Sequence, residues 1–65
     1  MRKIILKSVE GIVYTGQYIE ESNGKINIAN VESDNVQENA LLQKAKDINT
    51  GMIFLRENIV WYTFK

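Results

Sequence analysis

The chain has 65 residues, eight Lys or Arg against eight Asp or Glu, and neither Cys nor His. That length allows one domain with one small core, and the missing residue types exclude disulfides, thiolate zinc sites and imidazole ligands. An apolar fraction of 45% with 25% charged residues is that of a folded protein rather than a disordered one.

Residues Lys3 to Val9 are expected to form a first strand, with Ile4 and Leu6 on one face and Lys3, Ile5 and Lys7 on the other. Glu10-Gly11 is the expected turn. Ile12 to Glu21 is rich in β-branched and aromatic residues and reads as a second strand, in which Gly16 marks a bend or bulge. Asn23-Gly24 separates it from the alternating Lys25-Ile26-Asn27-Ile28, the strongest short-range signal for a hairpin with a two-residue turn.

From Ser33 to Thr50 the apolar residues Val36, Ala40, Leu41, Ala45 and Ile48 fall at spacings nearer 3.6 than 2. Two readings stay open for this stretch: a short helix over 34–47, capped by Asp34 with Gln37 three residues on, or an irregular polar excursion. After Gly51, Met52-Ile53-Phe54-Leu55, a tight turn at Arg56-Glu57-Asn58 and Ile59 to Phe64 read as a second hairpin. The fold class is therefore mainly all-β, with five antiparallel strands.

A chain of this size buries only about 60% of its unfolded surface, so association with copies of itself is the expected source of further burial. The last two strands are apolar on both faces, which exposes them to edge-to-edge pairing. Ile53, Phe54, Leu55, Ile59, Val60, Trp61, Tyr62 and Phe64 are the candidate interface residues. The same edge used by both copies gives a two-fold dimer and different edges give a ring, and residue pattern alone leaves that choice open.

Catalysis has little to draw on, with no His, no Cys and no serine in a nucleophile-elbow pattern. Glu20-Glu21 is the obvious carboxylate pair, yet neighbours on a strand point to opposite faces unless a bulge intervenes. Asp34, Asn35 and Glu38 lack calcium-loop spacing, so neither a metal nor another cofactor is expected. The longest apolar runs are far short of the roughly 20 residues a membrane span requires, and the start is too short for a signal peptide, so no membrane partner and a cytoplasmic location are expected.

Two stretches carry a family resemblance. In Lys7 to Tyr18, Gly11 and Gly16 lie five positions apart ahead of a bulky residue, and Ile28-Ala29-Asn30-Val31-Glu32 follows downstream. Gly51 to Tyr62 then runs glycine, apolar strand, Arg56 at a tight turn, Asn58 and a second apolar strand. Together they resemble the two signature motifs of the Sm-like (Sm/LSm) family. The resemblance implies a small, strongly bent five-stranded Sm-like/SH3-like barrel, closing by its fourth and fifth strands into a homo-oligomeric ring of about five to seven copies. It also implies a non-enzymatic role in RNA metabolism, binding single-stranded, uridine- or adenine-rich RNA at Asn23, Gly24, Lys25 and Arg56.

The chain departs from the family where Glu21-Ser22-Asn23-Gly24-Lys25 replaces the usual Asp, stacking residue, Met and Asn, and where Glu57 replaces glycine. Two other expectations stand beside RNA binding: a ring of the same architecture acting as a protein-interaction scaffold, and an unrelated SH3-like barrel binding a peptide. The aromatics Tyr14, Tyr18, Phe54, Trp61 and Tyr62 could serve as a base-stacking platform, but core or interface packing is the expectation favoured for them.

Overall fold

A computed structural model describes residues 2–45 and 51–65. The five strands are β1 (Lys3–Ser8), β2 (Val13–Ser22), β3 (Lys25–Ser33), β4 (Met52–Leu55) and β5 (Ile59–Phe64); helix α1 (Val36–Ala45) follows β3, and a 3-10 turn, Arg56–Asn58, separates β4 from β5. All strands belong to one antiparallel sheet in the order β4-β3-β2-β1-β5.

That order corrects the expected second hairpin. β4 pairs with β3 and β5 pairs with β1, so strands adjacent in sequence sit at opposite edges of the sheet. The short 3-10 turn redirects the chain rather than folding β5 back on β4. No main-chain pairing joins β4 to β5, and the sheet is not closed into a barrel.

Alternation builds the core. Ile4 and Leu6 from β1, Tyr14 from β2, and Ile26, Ile28 and Val31 from β3 are buried together, and Ile12, Tyr18, Leu42, Met52, Phe54, Ile59, Tyr62 and Phe64 pack around them. Ile4, Leu6, Ile26 and Ile28 are the largest fully buried side chains, each contributing about 1.5–3 kcal/mol of burial. Edge-to-face ring contacts, Tyr14 on Phe54 at 4.9 Å and Tyr18 on Phe64 at 5.1 Å, tie β2 to both sheet edges.

Three register shifts bend the sheet. On β3 the extra residue is Asn30, in the left-handed region at φ 53°, and its side-chain amide donates to Gln17 Oε1 at 3.0 Å. Gly16 lies across from this bulge because a Cβ there would sit 2.4 Å from Ile28 Cγ2 and 2.8 Å from the Ala29 carbonyl oxygen. On β2 the extra residue is Ile19, and on β5 it is Val60.

The helical reading holds over Val36–Ala45, with a different cap and a different buried side from those expected. Asn35, not Asp34, is the N-cap: its Oδ1 accepts from Glu38 N at 2.9 Å, while Asp34 Oδ1 accepts from Val13 N at 3.0 Å and fastens the helix entry to β2. The expected stripe faces water, since Val36, Ala40 and Leu41 are exposed, and Leu42 makes the contact with the core. Ile48 lies outside the described residues. Among those residues, no helix is long and apolar enough to cross a membrane.

Candidate functional site

Two turns meet at one end of the sheet. Asn23 and Gly24 have φ of 51° and 73°, and both central positions of this tight hairpin turn need positive φ, which the Asn-Gly pair supplies. Ser22 faces Lys25 across the hairpin, and Lys25 faces Leu55 of β4. The Arg56 N–H then donates to the Gly24 carbonyl at 2.7 Å. Asn23, Gly24, Leu55, Arg56 and Glu57 consequently line one shallow depression.

Of the four residues that the resemblance singled out, Asn23, Gly24 and Arg56 share this depression, and Lys25 is exposed at its edge as the cross-strand neighbour of Leu55. The Arg56 guanidinium does not stand alone. Its Nη1 lies 2.5 Å from Glu21 Oε2, its Cζ sits 4.8 Å from the Tyr62 ring centroid, and the Tyr62 hydroxyl donates to Glu21 Oε1 at 3.3 Å. A carboxylate, a guanidinium and a phenol thus form a closed set across β2, the 3-10 turn and β5.

Glu21 was not among the expected site residues, and Tyr62 was expected at a subunit interface rather than beside Arg56. The bulge at Ile19 is what selects Glu21: without the extra residue, Glu20 would stand opposite Ile26 on the core side, whereas the observed register puts Glu21 there and Glu20 opposite Asn27. The sequence shows two equivalent glutamates, and only the register distinguishes them. The pair is half in water, with side-chain exposures of 51% for Arg56 and 29% for Glu21, so its worth to stability is at most about 1 kcal/mol.

The eight candidate interface residues divide in two. Phe54, Ile59, Tyr62 and Phe64 pack into the chain's own core. Ile53, Leu55, Val60 and Trp61 are exposed, with Ile53 at 63% and Trp61 at 44%. Trp61 is therefore not a core residue. The bulge at Val60 places Ile59 with Tyr62 and Phe64 on the core side and leaves both Val60 and Trp61 turned outward.

Among the described residues no group of three or more carboxylates converges in a way that could hold a metal ion. Tyr14 has its pKa raised above the ordinary 10.0, first by burial and then by the negative charges of Glu38, Glu10 and Asp34. Comparison of the chain with protein-family models, with curated proteins and with solved structures finds no match.

Proposed function

We propose that the chain is a subunit of an Sm-like homo-oligomeric ring that binds single-stranded RNA without catalysis, at the end of the sheet formed by Asn23, Gly24, Lys25 and Arg56. The observation that carries the assembly is the strand order: β4 and β5, the most apolar strands, are the two free edges. Different edges on opposite sides of one subunit suit head-to-tail pairing, and head-to-tail pairing closes into rings. The bent, bulged sheet and the 3-10 turn between β4 and β5 also support the small-barrel reading.

RNA binding is supported by the convergence of the Asn-Gly turn and Arg56 in one depression. Rotational symmetry repeats Arg56 and Lys25 around the ring, and a guanidinium can both stack on a base and contact phosphate. Light scattering gives the mass of the assembly, and titration with fluorescent oligo-uridine at several salt concentrations gives the affinity. A closed oligomer whose affinity falls with salt and with Arg56→Ala supports the reading. A stable monomer removes the ring, and affinity indifferent to both changes removes the RNA site.

A specific contact favours a second reading, in which the same ring serves as a protein-interaction scaffold. Glu21 and Tyr62 already satisfy Arg56, and Glu57 lines the same depression. A closed oligomer that ignores RNA at every salt concentration selects the scaffold.

A further inference from the structure

The sheet face turned away from the core carries a cluster separate from the Arg56 end, reaching from β2 across β1 to the outer side chains of β5. Register arranges it in three rows. Lys7 lies between Val13 and Trp61, and Ile5 lies between Thr15 and Thr63. Lys3 lies opposite Gln17, with Lys65 on its other side, where the Lys65 N–H donates to the Lys3 carbonyl at 2.8 Å.

Because Ile4, Leu6, Tyr14, Tyr62 and Phe64 alternate with these residues and point into the core, these nine positions share the outer face. They include three lysines and no Asp or Glu, in a chain whose side-chain charges sum to zero. Among the described residues no carboxylate lies within ion-pair distance of Lys3, Lys7 or Lys65; Glu32, opposite Thr15 on β3, borders the grid on its far side. Trp61 sits at one corner, 44% exposed, beside Lys7.

We infer that this face is a second nucleic-acid surface, which takes a single strand by stacking a base on Trp61 and laying backbone phosphates along Lys7, Lys3 and Lys65. Charge complementarity identifies the ligand as a polyanion. The exposed indole narrows it to one with free base faces, since a duplex keeps its bases stacked on one another. Lys3 and Lys7 stand about 13 Å apart along β1, so the positive track extends well beyond the single base that Trp61 can hold. Pairing of β5 with another copy uses its main-chain edge and leaves this outer face open. The surface is independent of the Arg56 end, and either can stand without the other.

Trp61 is the sole tryptophan of the chain, so its fluorescence reports on this face alone. The test uses the full chain carrying Arg56→Ala, which separates a failure here from a failure of the ring-end RNA site. Oligo-adenine is expected to quench Trp61 emission. By anisotropy of labelled oligo-adenine, adding Trp61→Ala should weaken binding about tenfold or more with the light-scattering mass unchanged. Lys3→Gln with Lys7→Gln should lower the slope of log affinity against log salt by about 1.4. The inference is overturned if oligo-adenine leaves the emission unchanged, if poly-glutamate of equal charge quenches as strongly, or if Trp61→Ala changes the mass and so places the indole in a subunit joint.

Discussion

The main-chain N–H of Arg56 donates to the carbonyl of Gly24 at 2.7 Å, joining the turn between β2 and β3 to the turn between β4 and β5 across more than thirty positions of sequence. The bond relies on Gly24 holding φ at 73°, which a residue with a Cβ adopts at a cost of about 1–2 kcal/mol. Space is not the constraint, because a Cβ at Gly24 would meet nothing within 4 Å. Gly24→Ala should therefore lower stability by about 1 kcal/mol in urea unfolding, and amide exchange at Arg56 should quicken along with it. Unchanged exchange at Arg56 would show that the two turns are held together by something else.

Gly16 fails for the opposite reason. Its position is crowded rather than twisted, with Ile28 Cγ2 and the Ala29 carbonyl oxygen already where a methyl group would go. Backbone cannot rotate aside as a side chain can, so Gly16→Ala should cost about 1–3 kcal/mol and shift the urea midpoint downward. A midpoint equal to wild type would mean that the Asn30 bulge can flatten to make room.

Glu21 and Arg56 form the contact on which the two functional readings diverge. The pair is too exposed to matter much to folding, so Glu21→Gln and Arg56→Ala should each change stability by less than about 1 kcal/mol. Their effects on RNA should be opposite in sign. Glu21→Gln removes the carboxylate that competes with phosphate for the guanidinium, and oligo-uridine affinity should rise, while Arg56→Ala should lower it. Equal affinities in all three proteins would place RNA, if bound, away from this end.

Much of this architecture was legible from alternation and turn chemistry. Ile4 and Leu6 announce the buried face of β1, and Asn23-Gly24 announces the hairpin whose positive φ values it supplies. The destination of β5 was not legible. A tight turn at Arg56-Glu57-Asn58 is equally compatible with a hairpin and with a crossing to the far edge, and what decides it is the long-range pairing of Leu6 with Tyr62 and Ile5 with Thr63.

Bulges hid the rest, because each one reverses the facing of every residue beyond it. Val60 turned Ile59 into a core residue, and Ile19 chose Glu21 over Glu20 as the partner of Arg56. The cap moved by one residue because Asp34 was drawn to Val13 N–H, leaving Asn35 to meet Glu38. The resemblance singled out Arg56 together with the Asn-Gly turn, and the electrostatic closure of Arg56 by Glu21 and Tyr62 came from register alone.

Alkaline pH offers a test of the core against the surface. Burial, aided by Glu38, Glu10 and Asp34, raises the pKa of Tyr14 above the ordinary 10.0, so the folded state holds the phenol proton where the unfolded chain has released it. With more protons bound folded than unfolded, stability must fall as pH rises. The contribution is complete below about pH 10 and is lost as pH climbs from there through the raised folded value. Urea midpoints followed from pH 8 to 11 should decline in wild type and decline less steeply in Tyr14→Phe, which keeps the ring against Phe54 and has no proton to lose. Parallel slopes in the two proteins would mean that Tyr14 ionises as freely when folded as when unfolded, and that the alkaline loss comes from elsewhere in the chain.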